Sequence, residues 1–136
     1  MEYKIKYLEM IQNIISRMAS NSFLLKGWMI SLLVGIFTFT KNKIENNYLL
    51  LMSIFIISIF YFLDSYYLQL ECKYRNLYNK VRETKYEDID FSMDITDDLL
   101  SKKTKYHKCL LSKSEIGFYG CFYILILFIY LYNKYN

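Results

Sequence analysis

Proline is absent from this 136-residue chain, so no position forces a helix to kink or stop. Glycine is almost as scarce: Gly27, Gly35, Gly117 and Gly120 all lie in or beside apolar blocks, where they suit helix packing better than loop chemistry. The cysteines, Cys72, Cys109 and Cys121, are odd in number and form no C-x-x-C pair. That excludes a disulfide framework and a zinc spacing, and it fits unpaired thiols in a reducing compartment. Histidine occurs once, as His107, and the H-x-C pair it makes with Cys109 is too small a ligand set for a metal. The chain has no Gly-rich phosphate loop and no nucleophile with a base at a recognisable spacing. The acids from Glu87 to Asp98 lack the glycine and terminal glutamate of a calcium loop. An enzyme is therefore not expected, and neither is a cofactor or metal. The opening "MEYKIKYLEMIQNIISRMASNS" spreads acids and bases throughout and does not have the pattern of a signal peptide.

What the chain does have is apolar residues gathered into blocks. A soluble domain interleaves apolar and polar positions, whereas a membrane protein collects the apolar ones into long runs. Three runs stand out: "FLLKGWMISLLVGIFTFT" (23–40), "YLLLMSIFIISIFYFL" (48–63, extending to about 68) and "IGFYGCFYILILFIYLY" (116–132). Each is slightly shorter than the ~20 residues of a full span, which places their aromatic ends in the headgroup region. The size prior allows a single domain. The expected fold is an all-α membrane protein with three transmembrane helices, an N-terminal amphipathic helix (1–22) and a cytoplasmic helical extension of the second span within the 69–115 segment.

Charge gives the orientation. Of 17 Lys and Arg, Lys4, Lys6, Arg17 and Lys26 precede or open the first span, and ten fall between the second and third. Only Lys41, Lys43 and Lys134 lie on the other side. By the positive-inside rule the N-terminus and the long loop are cytoplasmic and the C-terminus is outside. This one-sided charge makes a cytoplasmic anionic partner plausible.

Along the chain, Ile5, Leu8, Ile11, Ile15 and Met18 recur at helical spacing. Such a helix could rest on the membrane surface or pack on another cytoplasmic helix. Its weakly basic polar face favours packing. Gly27, Ser31 and Gly35 form a small-residue ridge that would let a second helix approach, unless the spacing is fortuitous. "KNKIENN" permits an antiparallel hairpin. Beyond Asp64 the helical period persists: Glu71 and Arg75 are spaced as an i, i+4 pair, and Tyr67, Tyr74, Tyr78 and Val81 make a stripe. The second helix should therefore run on to about Glu83. In a hairpin, Asp64 and Lys26 reach the same boundary beside Trp28 and should pair, which lessens the cost of each charge there.

Residues 84–108 carry six acids followed by a lysine-rich stretch. They read either as a disordered charged loop or as a folded segment whose Lys102, Lys103, Lys105 and Lys108 contact phosphates, with Tyr106 as a stacking face. Arg75 and Arg82 on the stalk belong to the same set of candidates for an anionic signal. Ser112 and Glu115 have capping-box spacing, which marks the start of the third span. Three short spans cannot enclose a pore alone, so a channel would need a symmetric homo-oligomer. Its lining would be narrow and mostly apolar. Rings of Lys26 and Lys113 at the mouth would favour anions, or the two lysines would simply snorkel to the interface.

"NSFLLKGW" entering the first span and "YFLDSYYLQLECKYRNLYNKV" leaving the second resemble the SLATT-like effectors, small bacterial membrane proteins encoded beside nucleotide-signalling enzymes in antiphage defence. The likeness covers about residues 5–83 and is strongest to the Hailong-type branch. The resemblance implies a multi-pass protein of the bacterial inner membrane, assembled as a homo-oligomer with a tetramer favoured. It also implies an ion channel controlled by a DNA oligomer or cyclic oligonucleotide from a partner nucleotidyltransferase, with depolarisation and growth arrest as the outcome. The acidic loop has no counterpart in that likeness. An alternative from another class is a membrane anchor or scaffold that recruits a soluble partner through the stalk and forms no pore.

Overall fold

The computed structural model describes residues 2–40, 46–95 and 106–135. Two long helices dominate: α1, Glu2–Thr40, and α2, Asn46–Glu83. A single 3-10 turn, Tyr86–Asp88, opens an irregular segment; the short α3, Tyr106–Leu110, and α4, Lys113–Tyr135, complete the described chain. No strand occurs among the described residues. Three of the helices are long and apolar enough to cross a membrane.

The N-terminal helix and the first span are one helix. α1 runs through Ala19-Ser20-Asn21-Ser22 without a break, giving a rod of about 60 Å at 1.5 Å per residue. Ser and Asn favour caps and turns, but without Pro or Gly nothing at this point forces a break. α2 likewise continues through Asp64 and ends at Glu83, where the persisting period places it.

α1 and α2 lie antiparallel, because contacts join the start of one to the end of the other. At the distal end, Tyr7, Ile11 and Ile15 form an i, i+4, i+8 stripe on α1 that buries against Leu77 and Val81 of α2. Leu8, Tyr74, Tyr78, Ile89, Met93 and Ile95 close this cluster. Ile5, expected on the buried face, is exposed, and Tyr7 is buried in its stead. The Tyr7 hydroxyl donates to the Ser92 carbonyl at 2.5 Å and its ring meets Phe91 edge-on at 5.4 Å, holding the irregular segment against the helix pair. Lys4 Nζ donates to the Thr84 carbonyl at 2.7 Å and the Arg82 carbonyl at 3.2 Å. A cation at the α2 C-terminus satisfies carbonyls that lack intrahelical partners there and complements the helix dipole.

A second cluster joins all three long helices through Met29 and Leu33 of α1, Leu50 and Ile57 of α2, and Tyr119 and Ile126 of α4. The outward faces are strongly apolar, with Val34, Phe55, Leu125 and Phe128 all exposed. Between the two clusters lies a polar layer.

Candidate functional site

The polar layer is built from two i, i+4 pairs facing one acid. Ser22 and Lys26 share a face of α1, Glu115 and Tyr119 share a face of α4, and Asp64 projects from the middle of α2. Lys26 Nζ donates to Asp64 Oδ2 and, at 3.1 Å, to Glu115 Oε1. Ser22 Oγ donates to Asp64 Oδ1 and accepts from Lys26 at 3.2 Å. The Tyr119 hydroxyl donates to Asp64 Oδ2 at 2.9 Å, with the Phe60 carbonyl nearby at 3.3 Å. Lys26 also sits 5.6 Å from the Phe118 ring centroid and 5.7 Å from that of Tyr119, where the ring faces add attraction for a cation.

This network is deeply enclosed. Asp64 is 0% exposed and Glu115 is 2% exposed, whereas the Lys26 side chain, at 17%, and the half-buried Ser22 retain some access. Its two acids are satisfied unequally. Asp64 accepts from three donors, whereas among the described residues Glu115 Oε1 accepts from Lys26 alone and Oε2 has no hydrogen-bond donor. Glu115 is oriented by the first turn of α4, where its backbone N–H donates to Ser112 Oγ at 3.3 Å. Half of the capping box therefore forms. The other half does not, because the Glu115 carboxylate turns away from the cap towards Lys26.

α3 braces the layer from the side. The Tyr61 hydroxyl donates to the Leu110 carbonyl at 2.5 Å, and the Tyr106 hydroxyl donates to the Phe62 carbonyl at 3.0 Å. Lower in the bundle Ser58 and Tyr123 hydroxyls meet at 2.8 Å. On α3 the buried Cys109 thiol is a neighbour of Cys72 on α2. Burial first, and then the neighbouring thiol, push Cys109 up to about 11.

The pairing of Lys26 with Asp64 across the hairpin is present, but its setting differs from expectation. Trp28 is 65% exposed and points away from the pair. Lys113, the first residue of α4, is exposed and stands outside the network. Gly27 and Gly35 have no atom within 4 Å of where a Cβ would stand, and Ser31 Oγ donates to its own helix at the Gly27 carbonyl, 3.0 Å away. The small-residue ridge therefore faces away from the other described helices.

Those candidates for an anionic signal that fall among the described residues are not drawn into one place. Arg75 pairs with Glu71 at 2.6 Å, Arg82 reaches Glu83 at 3.8 Å, Lys108 is exposed on α3, and the Tyr106 hydroxyl is committed to α2. Phe62, which anchors Tyr106, precedes Arg75 by 13 residues, a separation of about 20 Å along α2. Lys102, Lys103 and Lys105, like Lys41 and Lys43 of the hairpin turn, lie outside the described residues. Among the described residues no group of three or more His, Cys, Asp or Glu side chains could hold a metal ion.

Sequence reasoning missed Ser22, Tyr119 and the true role of Glu115. Each is one turn from a residue already singled out or from another network member, and that spacing was the available signal. No protein-family model matches the chain, and no curated protein or solved structure is detectably similar to it.

Proposed function

We propose that the chain is a subunit of an oligomeric, gated ion channel in the bacterial inner membrane, acting as an effector in antiphage defence. In this reading the three apolar helices cross the bilayer, the N-terminal half of α1 and the 69–115 segment are cytoplasmic, and the C-terminus is outside. A nucleotide or DNA oligomer from a partner nucleotidyltransferase controls the pore, and opening depolarises the cell and arrests growth. The observation that supports the reading best is the Lys26–Asp64–Glu115 network, because ionisable groups buried among apolar helices mark functional positions in membrane proteins. The exposed apolar faces supply surface for lipid and for further copies, which three short spans need if they are to surround a pore. Lys26 is committed to two carboxylates and offers no free positive charge, so any anion preference rests on Lys113 at the mouth.

The test is reconstitution in liposomes, with ion flux recorded with and without DNA oligomers and cyclic oligonucleotides, beside native mass spectrometry for copy number. Nucleotide-dependent flux from a discrete oligomer is expected. A protein that stays monomeric and conducts under no nucleotide condition overturns the proposal. A second reading, an anchor that recruits a soluble partner, draws on the groove lined by Tyr3, Tyr7, Met10, Tyr86 and Phe91 at the distal end. It predicts a stable partner complex with unchanged permeability.

A further inference from the structure

The buried layer holds one cation and two carboxylates, an arithmetic that does not close. Lys26 against Asp64 and Glu115 leaves a formal charge of −1 among side chains that are almost wholly enclosed. An uncompensated charge away from water is costly enough that the group normally takes up or loses a proton instead. We propose that Glu115 is a proton-binding site, holding one proton at neutral pH so that the layer is electrically neutral.

Geometry selects Glu115 over Asp64. Hydrogen bonds to a carboxylate favour its charged form, and Asp64 receives three: from Lys26, Ser22 and Tyr119. Among the described residues Glu115 receives one, on Oε1, and its buried Oε2 has no donor. The groups facing Glu115 come from every surrounding element: Lys26 on α1, Asp64 and Tyr61 on α2, Cys109 on α3 and Tyr119 on α4. Lys26 is the only cation among them and is shared with Asp64. The partial positive charge at the α4 N-terminus helps Glu115, but its Ser112 cap already occupies the Glu115 N–H. A metal cation is a poor substitute for the proton, since hard cations need several oxygen ligands and only one carboxylate oxygen is free. The site belongs to the single chain and does not depend on whether that chain forms a pore.

The test is infrared spectroscopy of the full-length protein in lipid nanodiscs at neutral pH, where exposed carboxylates are ionised and a protonated carboxyl group gives a separate C=O stretch. The wild type is expected to show this band and Glu115→Gln to lack it, and Asp64→Asn should lose it too, because Lys26 then balances an ionised Glu115. Labelling the wild type with side-chain 13C-glutamate should shift the band and 13C-aspartate should not, so the test survives a variant that fails to fold. Thermal stability of the wild type should fall as pH rises, until Glu115 has lost its proton, and Glu115→Gln should lose that dependence. No carboxyl band in the wild type, a band that persists in Glu115→Gln, or a band that shifts with aspartate labelling overturns the assignment. So does stabilisation by added sodium or potassium without a carboxyl band.

Discussion

The hydroxyl of Tyr119 on α4 donates to the carboxylate of Asp64 on α2 at 2.9 Å, so the third long helix is tied to the acid that already anchors the first two. Tyr119→Phe keeps the ring and its contacts with Tyr61 and Phe118 and removes only this donor. A hydrogen bond to a charged acceptor contributes about 1.5–3 kcal/mol. Thermal unfolding in detergent should show a loss of that order, and an unchanged transition would mean that Tyr119 acts through packing alone.

Asp64 carries the larger share. Asp64→Ala leaves Lys26 with Glu115 as its one remaining acid, leaves Ser22 only its bond from Lys26 and leaves Tyr119 only the Phe60 carbonyl at 3.3 Å. Breaking a buried pair costs about 3–5 kcal/mol when the surviving charge is left unpaired, and Glu115, 3.1 Å from Lys26, lessens that cost here. A lower thermal unfolding transition in detergent is the expected outcome. If the protein is the channel proposed above, Asp64→Asn should weaken assembly or gating, measured by native mass spectrometry and flux, and full retention of both would contradict the role assigned to the pair.

Much of this arrangement was legible in the sequence, and the exceptions have physical causes. The end of α2 at Glu83 could be read because Glu71, Arg75 and Tyr78 keep helical spacing after the apolar run ends. The Lys26–Asp64 pair could be read because a hairpin fixes which ends meet. The continuity of α1 was hidden by Ala19-Ser20-Asn21-Ser22, a turn-like composition that helix propagation from both sides overrides. Glu115 was hidden by its capping-box spacing, because a local motif accounts for a residue whose stronger partner is 89 positions away.

The distal cluster should be separable from the bundle. Leu77→Ala removes a buried side chain facing Ile11 and Ile15, a change that costs about 2–5 kcal/mol in a packed core. Hydrogen exchange should quicken in residues 2–15, 74–83 and 86–95 while α4 and the first half of α2 keep their protection. Uniform loss of protection across all helices would show that the two clusters unfold as one.

Cys109 should be slow to alkylate. Its thiol is pushed up to about 11 from an ordinary value of 9.0, chiefly by burial and then by Cys72. Because the thiolate is the reacting form, that shift lowers the reactive fraction at pH 8 roughly a hundredfold. The rate should climb with pH through that range. Iodoacetamide labelling followed by mass spectrometry checks this, and fast labelling at pH 8 would mean that α3 does not stay docked on α2.

Because α2 passes from the bundle to the distal cluster as one helix, with Asp64 near its midpoint, no joint exists in which a twist could dissipate. Successive helix positions are about 100° apart, so turning α2 by one position would swing Asp64 away from both Lys26 and Tyr119. The ion layer would thus act as a mechanical detent, since a rotation of α2 would have to break several charged contacts together. Torque applied at Leu77 and Val81 would be felt thirteen or more residues away as a discrete click.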